Sequence, residues 1–244
     1  MTRQAYILIL SLAALTTSGC ARRIAGAPTQ KPAAFGSAVV ESSGGKQIAA
    51  VGTTLAQPVV VQVNDDQGTA VVGALVEMSG PAGVQFEPGT GLTDSSGQFT
   101  TSVSVGGMAG RYQITAATLN KAQKKVELKL EEIALGYQQV LGQQINNQYC
   151  DRCHNPESTA ERVSNYDNLE VKPHPFTEGE AINKFNDADL LAIISHGGSA
   201  LNKSSLMPPY GYTLSKSEIQ ALIAYIRAVS DPPYHTPGLV YAKN

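Results

Sequence analysis

The sequence predicts a multidomain chain, with an N-terminal all-β sandwich followed by a C-terminal all-α domain. Three observations predict this. Between residues 47 and 132, short runs of alternating apolar and polar residues are separated by Asn-, Asp- and Gly-rich turns, the period-2 pattern of half-buried strands. Beyond Ile133 the apolar spacing changes to the i, i+3, i+4 pattern of amphipathic helices. With 244 residues, 42% hydrophobic and 16% charged, the chain has material for two small cores.

In chain order, residues 1–19 read as a signal peptide. Arg3 supplies a positive start, and residues 5–15 form an apolar stretch of secretory length, too short to span a bilayer. Ser18-Gly19 stands directly before Cys20, which resembles a bacterial lipobox, although that motif usually has Leu where Thr17 stands here. The resemblance implies lipidation at Cys20 and a membrane anchor. Ordinary cleavage nearby would instead leave Cys20 a free thiol, and on either reading the chain is exported to the periplasm or another face of the cell envelope. Residues 20–46, rich in Ala, Gly, Pro and Ser, sustain no period and are expected to form a flexible tether.

Strands are expected at Val59 to Val63, Ala74 to Met78, Phe99 to Val105, Gly110 to Ala116 and Lys125 to Leu130. Turns are expected at Asn64 to Gly68 and Thr93 to Gly97. Thr93-Asp94-Ser95-Ser96-Gly97 followed by Ala109-Gly110-Arg111-Tyr112-Gln113-Ile114-Thr115-Ala116 resembles the bacterial Ig-like domain of the invasin/intimin type. With neither Cys nor His in this region, redox and metal chemistry have no candidate there. A spacer is the expectation, a docking or adhesion module the alternative.

The helical region, residues 133–231, is expected to open with a helix from Leu135 to Gln148. A second helix starts at Asn186 as N-cap, with Asp187 and Asp189 in its first turn, where the helix dipole favours acids. The last has a Ser215/Glu218 capping box and an apolar face of Ile219, Leu222, Ile223 and Ile226. Asp231-Pro232-Pro233 ends it, and residues 232–244 are expected to be a tail.

The chemistry is concentrated in Cys150-Asp151-Arg152-Cys153-His154, a C-x-x-C-H sequence. Two cysteines three positions apart on one helical turn can both form thioethers with haem vinyl groups, and the adjacent His can then bind the iron. A redox-active C-x-x-C pair would call for a strand–helix–strand setting, which is missing. A zinc site would need more cysteines, and His174, His196 and His235 are scattered. One covalent haem c is therefore expected, with His154 as a metal ligand. For the opposite axial position the candidates are Met207, followed by the stiffening pair Pro208-Pro209, and His196. Met207 is the expectation.

Residues 142–228 resemble class I cytochrome c. The matching pieces are Gly142 ahead of the attachment motif, Met207-Pro208-Pro209, and the closing run from Leu214 to Arg227. The resemblance implies a cytochrome c fold, electron transfer, and a close crossing of the first and last helices at Gly142 and Tyr225. It departs at Asn155, where the family often has Gly. The family's proline carbonyl on the proximal His could come from Pro156, Pro173 or Pro175.

Net charge is −2, and residues 137–244 hold 8 Lys/Arg against 11 Asp/Glu, so a basic nucleic-acid face is excluded. The expected partners are redox proteins, and the expected role is that of an electron carrier without catalytic residues. A haem enzyme or sensor with an open axial position and an adhesin carrying a haem are the other readings.

Overall fold

The computed structural model describes residues 34–160 and 162–238. The signal peptide and Cys20 lie outside the described residues.

The sandwich is made of nine strands: β1 Ala38–Ser43, β2 Ile48–Ala50, β3 Val59–Asn64, β4 Leu75–Ser79, β5 Gln85–Glu87, β6 Thr90–Leu92, β7 Gln98–Ser104, β8 Gly110–Leu119 and β9 Lys125–Leu135. One sheet has the order β1-β3-β7-β5 and the other β2-β9-β8-β4-β6. All pairs are antiparallel except β2 with β9. Alternation places Val59, Val61 and Val63 of β3 inside, beside Val103 of the neighbouring β7, and Val76 and Ile114 of the other sheet complete the same core. Each such side chain contributes about 1.5–3 kcal/mol by leaving water. The expected turns form around Asp65 and Asp94, whose Oδ1 atoms accept backbone N–H groups two and four residues on.

The sandwich is longer at both ends than the sequence pattern indicated. β1 lies where a tether was expected to run to residue 46, because its backbone pairs with β3 although its outward residues are polar. β9 continues through Leu135, beyond the expected boundary at residue 132. Leu135 is thus the end of a strand, and the first helix starts only after Gly136.

The helical region comprises α1 Tyr137–Ile145, a widened π turn Asn146–Cys150, α2 Asp151–His154, α3 Gly179–Ile182, α4 Asp187–His196 and α5 Lys216–Val229, with short 3₁₀ turns at Tyr166–Asn168 and Gly198–Leu201. α4 and α5 carry the expected caps: Asn186 accepts the Asp189 N–H at 2.9 Å, and Ser215 accepts the Glu218 N–H at 3.3 Å. The core gathers Ile145, Cys150, Leu190, Ile194, Leu214, Ile219, Leu222 and Ile226. Ile133 and Leu135 of β9 belong to the same cluster. Even-numbered residues of β9 therefore face the sandwich core, while on its other face Lys125 to Glu131 are exposed at odd positions and only Ile133 and Leu135 enter the haem-side core. Residues 231–238 are more than a loose tail. Asp231 pairs with Glu178, and the Tyr234 ring lies 3.7 Å from the Arg227 guanidinium. Among the described residues no helix is long and apolar enough to cross a membrane.

Candidate functional site

α1 and α5 bring the site together. A Cβ on Gly142 would lie 2.0 Å from the Ala221 carbonyl oxygen and 2.7 Å from the Tyr225 Cβ, so only a residue without a side chain permits this crossing. The pair implied by the resemblance, Gly142 and Tyr225, is in contact. Past the crossing, α1 widens into the π turn, where the Asp151 N–H reaches the Asn146 carbonyl five residues back. Such turns recur at functional positions. This one delivers the chain into α2, whose single turn carries Cys153 and His154, with Cys150 immediately before it.

Cys150 and Cys153 are free thiols, the first buried and the second half-buried. Burial pushes the Cys150 thiol up to about 12, with the nearby Asp151 and Cys153 adding to the effect. A redox-active C-x-x-C pair needs a thiol lowered toward neutrality, so this environment speaks against that reading. Among the described residues, no group of three or more His, Cys, Asp or Glu is placed to hold a metal ion.

His154 Nδ1 donates to the His174 carbonyl at 2.9 Å. A carbonyl only accepts, so this bond fixes the proton on Nδ1 and leaves the Nε2 lone pair for a metal. Burial holds the imidazole below its ordinary range, an effect that the hydrogen bond opposes. The Phe176 ring stacks on it, with centroids 4.5 Å apart and planes 25° apart. The accepting carbonyl belongs to His174 and not to Pro156, Pro173 or Pro175. Both neighbours of His174 are prolines, however, and they stiffen the backbone that presents it. The loop after α2 folds back onto the attachment turn: Asn165 N–H donates to the Arg152 carbonyl at 2.7 Å, and Arg162 pairs with Asp151 at 2.7 Å.

Met207 is half-buried and packs against the haem-side core. Its loop is pinned to the end of α4. Gly198 N–H donates to the Met207 carbonyl at 3.1 Å, Tyr210 N–H to Ile194 at 2.9 Å and Gly211 N–H to Ser195 at 3.0 Å. The Tyr210 hydroxyl then reaches across to the Tyr149 carbonyl at 3.0 Å, the residue directly before Cys150, and the two rings meet edge to face. The Met207 loop and the attachment motif are thereby tied together. His196, the competing candidate, is exposed in the last turn of α4.

The set suits haem c: two thiols spaced for thioethers, an imidazole with a fixed tautomer, and a thioether on a loop tied to the same segment. The sequence pattern did not single out His174, Phe176 or Tyr210. Pro173-His174-Pro175 was the one available signal, since flanking prolines mark a backbone position held still.

Comparison with known proteins bears on the kind of domain this is. Residues 138–226 match the family model described as cytochrome C oxidase, cbb3-type, subunit III, so the C-terminal region is a cytochrome c domain, which implies haem c as its cofactor. No curated protein matches the chain. Among solved structures, the N-terminal part is similar to the D0-D1 domain of intimin, at 16% identity over 39% of this chain and 46% of that one, TM-score 0.29. It is also similar to the D00-D0 domain of intimin, at 15% identity over 43% and 51%, TM-score 0.32. A third likeness is to invasin, a bacterial integrin-binding protein, at 18% identity over 39% and 19%, TM-score 0.31. The chain thus spans about half the length of the intimin structures it matches.

Proposed function

We propose that this chain is an exported, single-haem electron carrier, anchored to a membrane through lipid on Cys20. Cys150 and Cys153 hold one haem covalently, and His154 and Met207 are its axial ligands. The observation that carries this reading is the His154 Nδ1 bond to the His174 carbonyl at 2.9 Å, within one helical turn of two free thiols. That bond leaves the Nε2 lone pair free to bind iron.

When bound, the haem supplies one-electron chemistry, its iron cycling between ferric and ferrous states. The protein's residues set the conditions. Phe176 and the His174 carbonyl keep His154 from rotating. The Tyr210–Tyr149 tie and Pro208-Pro209 hold the Met207 thioether in place in both oxidation states. A soft, neutral sulfur favours the ferrous form and raises the potential. If His154 and Met207 both held the iron, no position would remain on it for a substrate, which favours transfer between redox proteins over catalysis. The sandwich, without Cys or His, is proposed to space the haem domain from the membrane.

Met207→Ala tests the ligand set. The expected result is retained haem, loss of the far-red band of thioether-bound ferric haem, and a lower potential. An unchanged spectrum and potential would remove Met207 from the site.

A further inference from the structure

Besides the apolar contacts of β9, Arg111 of β8 reaches from the sandwich toward the haem site. Its guanidinium is only 19% exposed. It pairs with Glu131 on β9 and donates through Nη2 to two carbonyls at the end of α5, Ser230 at 2.5 Å and Ala228 at 3.3 Å. The last carbonyls of a helix lack intrahelical partners, and a cation there also complements the helix dipole. Ser230 has no exposed surface.

The next residue continues the contact. Asp231 N–H donates to the Thr177 carbonyl at 2.9 Å, and the Asp231 carbonyl accepts from Gly179 N–H at 2.8 Å. The fit is close enough that a Cβ on Gly179 would lie 2.2 Å from the Pro232 oxygen. Thr177 directly follows Phe176, which stacks on His154, and lies three residues after His174, whose carbonyl holds His154 Nδ1. From Arg111 to His154, each step is a hydrogen bond, a ring contact or a few residues of backbone.

We infer that Arg111 is a positioning residue for the proximal haem ligand, acting through the Ser230–Asp231 strap on the loop that orients His154. The inference rests on His154 being a haem ligand. It gives the sandwich a second task, since a spacer needs no arginine forked onto the end of the last haem-domain helix. Without the clamp, the strap and the loop beneath it loosen. The Nδ1–H···O bond then weakens, the imidazole becomes a poorer donor to ferric iron, and the potential rises.

The test uses the full matured chain with haem attached, comparing Arg111→Ala and Arg111→Lys with Lys125→Ala. The last removes an exposed pair with Glu77 elsewhere on the sandwich. The readouts are reduction potential, the electron paramagnetic resonance g-values of the ferric haem, and amide exchange at Gly179 and Asp231. Arg111→Ala is expected to raise the potential, shift the g-values and speed exchange at both amides. Arg111→Lys, which keeps the charge and loses the fork, should fall between it and wild type, and it carries the test if Arg111→Ala does not fold. Lys125→Ala should change none of these. A lower melting temperature with potential and g-values unchanged would overturn the inference and leave Arg111 a fastener. A wild-type chain without low-spin haem would instead overturn the functional reading, before any variant is compared.

Discussion

The two domains treat buried polar groups differently. In the haem domain, each buried or half-buried polar group that matters to the site is engaged: His154 with the His174 carbonyl, Tyr210 with Tyr149, and Ser230 with Arg111 and Arg227. The sandwich contains one conspicuous exception. Glu132, on the inward side of β9 between Leu130 and Ala134, has no exposed surface. Its Oε2 accepts the Gln47 N–H at 2.7 Å, while Oε1 has no hydrogen-bond partner among the described residues. Burial pushes this carboxyl up from 4.5 to about 7; the Gln47 N–H opposes the shift, and the Glu41 and Glu131 carboxylates add to it. One domain spends its polar groups on holding a donor set in place, and the other accepts an acid in its core to fasten the β1–β2 crossover. Stability should therefore respond to different perturbations in the two regions.

The largest effect is expected at the helix crossing. Gly142→Ala puts a methyl group against the Ala221 carbonyl and Tyr225, at a cost of about 3 kcal/mol by overpacking. Thermal melting of the matured chain should show it as a lower transition temperature, with weakened Met207 ligation in the spectrum. A neutral result would mean that α1 and α5 can separate freely.

A smaller effect of opposite sign is expected in the sandwich. The folded state holds the Glu132 proton up to about pH 7, whereas the unfolded chain releases it near 4.5, so stability falls as pH rises between those values. Glu132→Gln removes that dependence. It should stabilise the chain by about 2 kcal/mol at pH 8 and bring little or no gain at pH 5, a gap that melting curves at the two pH values would register. A gain of equal size at both would show that ionisation is not its source. Because Ile133 and Leu135 lie in the haem-side core, both variants should move one shared transition.

How legible each region was in the sequence follows from the range of its interactions. The five long strands of the sandwich declared themselves through period-2 alternation, and the Asp65 and Asp94 turns through residues that bond their own backbone. β1, β2, β5 and β6 did not: all four are edge strands, and β2, β5 and β6 are three residues long, too short for alternation to show. Cys150, Cys153 and His154 stood out as candidates because the proposed haem attachment would fix their spacing. Gly142 was legible only through the family resemblance, since a close approach leaves a missing side chain as its sole trace. His174 acts through a carbonyl that every residue has, and Arg111 acts from the other domain. The prolines on either side of His174 are its one local trace, and Arg111 has none. Glu132 broke the alternation of β9 as a polar residue at an apolar position, a signal that was present and easily taken for a surface residue.

The central claim is a covalent bond between porphyrin and protein, and mass spectrometry of chain matured outside the cytoplasm tests it most directly. The account predicts a single haem adduct, retained under denaturing conditions, on the peptide that contains both Cys150 and Cys153. The same peptide recovered with two unmodified thiols, or with a disulfide between them, would contradict it.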